Sequence, residues 1–149
     1  MKVNFFDVAP YEMPRLSREL EDPEKGLKIT VEMKALDETE THFAGDLGDR
    51  LTTQYIGDPE TGIRPKEAFP VIRGKRVTLS RRLMYSVAQI AVQQTAQGDD
   101  AYTPEQLIVA AFVSKPLYRG MIELARDVQK LAEPAGKDAK NDSEADTAV

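Results

Sequence analysis

The stretch from Leu27 to Leu36 constrains the fold more than any other part of this sequence. Leu27, Ile29, Val31, Met33 and Ala35 alternate with Lys28, Thr30, Glu32 and Lys34, which predicts a strand with one apolar and one wet face. Asp37 follows as a helix N-cap, with Glu38 and Glu40 in the first turn, where the helix dipole favours carboxylates. The spacing predicts a helix to about Ile56, carrying Phe43, Leu47, Leu51 and Tyr55 at four-residue intervals. Gly45 and Gly48 lie inside it, and each weakens a helix by about 1 kcal/mol relative to alanine.

The rest of the chain supplies what such a strand and helix need to pack against. Residues 1–26 read as an extended arm broken by Pro10, Pro14 and Pro23, with apolar grip from Phe5, Phe6 and Tyr11 and room for a short helix only over Arg15–Glu21. After the turn-forming run Gly57–Gly62, Phe69–Arg73 and Arg76–Leu79 are expected to pair as a hairpin closed by Gly74 and Lys75. Pro70 confines the first of these arms to an edge. Ser80 or Thr78 caps a helix over Arg81–Gln97 with Leu83, Met84, Val87, Ile90 and Ala91 on one side. Thr103 and Pro104 open the next helix, and Pro116 opens the last, whose Leu117, Met121, Leu124 and Val128 form a short heptad-like seam. From Pro134 onward the chain is almost wholly small and polar, so it cannot bury enough apolar surface to order itself. The expectation is an α+β fold: short N-terminal strands or a hairpin, and a mainly helical body of about four helices. One domain would span 27–133, with a disordered tail over 134–149.

Composition narrows the chemistry. The 149 residues suit one domain with a core, and 41% hydrophobic with 30% charged residues is an ordinary globular balance. There is no cysteine, which removes disulfides, thiolate metal sites and cysteine nucleophiles. No apolar run approaches the roughly 20 residues of a membrane span, and the start of the chain has no signal-peptide core, so residence in the cytoplasm is expected. His42 is the only histidine, accompanied along its helix by Glu38, Asp46 and Asp49; a solvated acidic face is the ordinary reading of that group. The serines at 17, 80, 86, 114 and 143 sit in no nucleophile elbow. No phosphate-binding glycine loop occurs. We therefore expect no catalytic residue, no metal and no cofactor, and a binding role in place of an enzymatic one.

One charge feature stands out. Arg64, Lys66, Arg73, Lys75, Arg76, Arg81 and Arg82 crowd one segment of a chain whose net charge is −5. A hairpin so flanked could grip phosphates, as in a small nucleic-acid-binding regulator. The acidic remainder and the shortage of stacking aromatics favour an acidic protein partner or a solvated hairpin instead.

In the order of its parts the sequence resembles the tail assembly chaperones of long-tailed bacteriophages, the family that includes the lambda tail-assembly protein encoded just before the tape measure. Three stretches carry the likeness: Leu27–Leu36 running into Asp37 and Glu38, Val77–Ser80 before the helix at Arg81, and Ala135-Gly136-Lys137 in the polar tail. In that family a programmed frameshift near the end of the gene passes through a slippery heptamer that can encode Ala-Gly-Lys. The resemblance implies a chaperone, in the cytoplasm of a bacterial host, that binds the tape measure protein and helps recruit the tail-tube protein, and it leaves room for a homo-oligomer. A structural virion component, such as a head–tail joining or tail-terminator protein, is the alternative. The client surfaces expected from the sequence are Leu107, Ile108 and Phe112 on one helix and Leu117, Met121, Leu124 and Val128 on the next. The same spacing would equally serve a core.

Overall fold

The computed structural model describes residues 2–58, 60–62 and 71–133. Along the chain run β1 (Arg15–Asp22), β2 (Leu27–Lys34), α1 (Glu38–Tyr55), β3 (Val71–Ile72), β4 (Lys75–Arg76), α2 (Arg81–Gln93), α3 (Pro104–Val113) and α4 (Lys115–Leu131). Single 3₁₀ turns occupy Phe5–Asp7 and Gly98–Asp100. This is the expected α+β class: two small antiparallel hairpins with a helical body.

β1 is the main correction to the sequence reading. The arm was expected to reach residue 26 with a short helix over Arg15–Glu21, but Arg15–Asp22 is a strand paired along its whole length with β2, from Arg15 opposite Lys34 to Asp22 opposite Leu27. Leu16 and Leu20 are four residues apart, a spacing that satisfies one helical turn and also two strand periods. Pairing with a strand that already has an apolar face decides between them. Leu16, Arg18, Leu20 and Asp22 turn inward, and Leu20 and Asp22 are buried. The domain therefore begins near Met13, which packs against the core. A two-stranded hairpin is marginal alone in water; this one is held by packing against α4 and α2.

β2 and α1 follow the sequence closely. Val31, Met33, Ala35 and Leu36 are buried, and Asp37 caps α1 in a full capping box with Glu40. The α1 stripe is different. Four residues on a helix advance the direction by about 40° beyond a full turn, so a row of such steps drifts off one face. Leu51 and Tyr55 are buried, while Phe43 faces solvent. Gly48 is no flaw in this helix. A Cβ there would lie 2.2 Å from Cδ1 of Tyr85, so its absence lets α1 and α2 approach.

α2 stops at Gln93, short of the expected Gln97, because the next residues are claimed by the sheet. Gln94 bridges to Met33, and the Thr95 N–H donates to the Glu32 carbonyl at 3.2 Å. The β3–β4 turn is Arg73-Gly74, one residue earlier than expected. Both residues have positive φ, 52° and 77°, as a two-residue hairpin that matches the strand twist requires. Of the expected longer hairpin, Phe69 and Pro70 lie outside the described residues.

Two glutamines tie the elements together by imitating a backbone partner. Gln129 of α4 accepts from Leu36 N–H at 2.9 Å and donates to the Leu36 carbonyl at 3.1 Å. Gln94 does the same to Tyr102, at 2.8 and 2.9 Å. Both clips satisfy buried or half-buried backbone groups that no ladder reaches. Gln94 thereby fixes the loop leading into α3, whose Thr103 and Gln106 form a second capping box.

Candidate interaction surfaces

The residues nominated from sequence separate sharply. Leu107, Ile108, Leu117, Met121, Leu124 and Val128 are all buried. They are the core, where α3 and α4 meet α2 and the β1–β2 hairpin, so they offer no face to a client in the folded domain. This overturns their assignment as binding surface. The seam repeats because α4 packs inside its own domain, a requirement that uses the same spacing. Phe112 alone of that group is solvent-exposed, at 37%.

Among the described residues two groups of solvent-facing apolar side chains stand out, and periodicity did not single them out together. The first is the segment preceding β1. Val3, Phe5, Phe6, Val8 and Tyr11 are exposed, Phe5 at 81% and Phe6 at 99%. This segment is not shapeless. The Asn4 side chain accepts from the Phe6 N–H at 3.1 Å and donates to Asp7 at 3.0 Å, closing one turn, and the Pro14 carbonyl accepts from Ala35 N–H at 2.9 Å to fix the root.

The second is a groove between α1, the end of α2 and the loop entering α3. Phe43 and Leu47 form one wall, Ala91 and Val92 the floor, and Tyr102 and Pro104 the other wall. Phe43 is 53% exposed, with the Arg50 guanidinium 5.8 Å from its ring centroid. The groove exists because Phe43 has drifted off the buried stripe of α1 and because Gln94 holds Tyr102 across from it. Neither cause is visible in a local window of sequence.

The basic group is partly assembled. Arg73, Lys75, Arg76 and Arg82 are exposed and make no ion pair among the described residues, while Arg64 and Lys66 lie outside them. Arg81 is differently engaged. It donates to the Tyr85 hydroxyl at 3.1 Å and lies 3.9 Å from Asp49, to which Tyr85 donates in turn. That cluster straps α1 to α2 at the surface.

Among the described residues no group of histidine, cysteine, aspartate or glutamate could hold a metal ion. His42 is exposed. Ser114 is buried and donates to Asp22, with no histidine beside it. Two tyrosine hydroxyls are perturbed. Burial pushes Tyr118 above the ordinary tyrosine value, partly offset by its 2.6 Å bond to Ser86. Burial raises Tyr55 too, and Glu105 adds to the rise. Both serve packing between helices. No helix among the described residues is long and apolar enough to cross a membrane.

The fold and its surfaces define an α+β domain with an apolar N-terminal segment and an open apolar groove. No family model matches the chain, and neither a curated protein nor a solved structure matches it.

Proposed function

We propose that this protein is a tail assembly chaperone of a long-tailed bacteriophage, acting in the cytoplasm of the bacterial host by binding the tape measure protein and assisting recruitment of tail-tube subunits. The observation that supports this reading is the open apolar groove of Phe43, Leu47, Tyr102 and Pro104. An amphipathic client helix laid in such a groove buries its apolar stripe at i, i+3, i+4 and i+7 and keeps its polar side wet. The role is binding, with no covalent step. The groove replaces the buried α3–α4 seam as the client surface.

Co-expression tests it. The tape measure protein encoded downstream should be soluble and co-purify with the chain, and should be lost to aggregates with Phe43→Glu. A client equally soluble without the chain would sink the idea. The gene offers an independent check: a slippery heptamer across codons 135–137 followed by an open −1 frame is expected.

The exposed segment at Phe5 and Phe6 also favours a second reading, a virion component that locks its neighbours. Mass spectrometry of purified particles separates the two. A chaperone is absent from them, whereas a joining or terminator protein is present in fixed stoichiometry. The exposed Arg73, Lys75, Arg76 and Arg82 support a nucleic-acid regulator only if their reversal to glutamate abolishes retention on DNA at low salt.

A further inference from the structure

We propose that the groove between α1, α2 and the α3 entry takes the N-terminal segment of a second copy of this chain, giving a dimer with reciprocally exchanged arms. The chain carries both halves of such a contact, and among the described residues neither half engages the other. Phe5, Phe6 and Tyr11 are 81%, 99% and 77% exposed, and Phe43, Leu47, Tyr102 and Pro104 line a groove that none of the other described residues covers.

Position supports the exchange. The arm's root is the Pro14 carbonyl bonded to Ala35, two residues before the Asp37 cap of α1. Thr39 and Glu40, in the first turn of α1, lie at the edge of the groove, as does Gln94, which bridges to Met33. Arm and groove therefore occupy one end of the domain, and two copies meeting at that end are related by a twofold axis with two identical contacts. Residues 3–11 extend up to roughly 30 Å, enough to cross from one copy to the groove of the other. Pro10 and Pro14 stiffen the path between.

Area supports it too. An aromatic side chain buries roughly 150 Å² or more, so the three of one arm remove about 450 Å² of arm surface. Two arms remove about 900 Å² of arm surface, and the groove walls they cover bring the contact to about the lower end of the roughly 1,200–2,000 Å² of a specific interface. An arm folded onto its own groove would bury half of this and join nothing. A client helix and a partner's arm would then compete for one groove; that consequence alone rests on the function proposed above.

The test is made on the full chain without any client, so its failure leaves the client reading untouched. Sedimentation equilibrium is expected to show a dimer. Phe5→Asp with Phe6→Asp, and separately Phe43→Glu, are each expected to weaken it at least about tenfold. Helical circular dichroism is expected to be unchanged, and so is the thermal midpoint at dilutions where parent and variant are both monomeric, because all three side chains are exposed in the single chain. A monomer at the highest soluble concentration, or a dimer indifferent to both changes, overturns the proposal. The chain has no cysteine, so Asp7→Cys and Thr39→Cys can be placed in separately tagged copies and joined by a short bismaleimide. A cross-link between copies is expected. A cross-link formed only within a doubly substituted single chain means that the arm closes its own groove, and overturns the exchange.

Discussion

Ser114 donates a 2.6 Å hydrogen bond to Asp22 across 92 positions of sequence, and both residues are 2% exposed. Asp22 ends β1, and Ser114 is at once the C-cap of α3 and the N-cap of α4. The bond thus joins the hairpin to the corner where two helices meet. The Asp22 carboxylate also receives the Lys25 N–H at 3.4 Å in the β1–β2 turn.

Removing either partner leaves the other buried and short of a bond, which typically costs about 1–3 kcal/mol. Ser114→Ala is expected to be destabilising by about 2 kcal/mol, since the α4 cap is lost as well. Asp22→Ala should do comparable harm and Asp22→Asn less. Urea unfolding of the two alanine variants and their double variant should show a coupling above about 0.5 kcal/mol; additive effects would mean that the bond contributes nothing.

The two glycines of α1 should respond oppositely to alanine. Gly45 has open space where a Cβ would stand, so Gly45→Ala is expected to stabilise by roughly 0.5–1 kcal/mol through helix propensity. At Gly48 the new Cβ would meet the Tyr85 ring. Gly48→Ala must push that ring aside and break its bond to Asp49, so a net destabilisation is expected despite the same propensity gain. Thermal midpoints of the two variants decide the matter, and a stabilised Gly48→Ala would show that Tyr85 yields freely.

Core and surface should separate in the same way. Leu124→Ala, at a fully buried position of α4, is expected to be destabilising by about 2–5 kcal/mol. Phe43→Glu, compared at dilutions where the chain is monomeric, should leave the unfolding free energy within about 0.5 kcal/mol of the parent. If Phe43→Glu unfolds the domain, the groove wall is structural and the client surface proposed for it falls.

Alkaline pH should weaken the fold through its tyrosines. Burial raises the Tyr118 hydroxyl above the value it has in the unfolded chain, and burial with Glu105 raises Tyr55. Their contribution is fully present below the unfolded tyrosine value of about 10. Above it the unfolded chain releases its protons first, so stability falls as pH rises toward the folded values. The urea midpoint should decline more steeply above about pH 10 in the parent than in Tyr118→Phe; equal slopes would remove Tyr118 from the effect.

Much of the fold was legible because local signals agreed with one another. The alternation of Leu27–Ala35, the Asp37–Glu40 capping box and the Thr103-Pro104 start each state their structure within a few residues, and the structure keeps all three. Legibility failed where two periods coincide. Leu16 and Leu20 fit a helix and a strand equally, and only the partner β2 chose between them. It failed also at helix ends, where Gln94 and Thr95 left α2 for a bridge to a strand some sixty residues earlier, a separation of 63 for the Thr95–Glu32 bond.

The sequence by itself determined the class, the caps of α1 and α3, the apolar faces of α2 and α4 and the apolar character of the first dozen residues, because each depends on propensity and periodicity within a turn or two of chain. Only the tertiary structure decided which apolar residues are core and which are surface. Leu117, Met121, Leu124 and Val128 vanish into the domain, while Phe43, with the same chemistry, is left beside Tyr102 at an open groove. Burial depends on what a distant element brings to face a side chain, and no spacing along one helix contains that information.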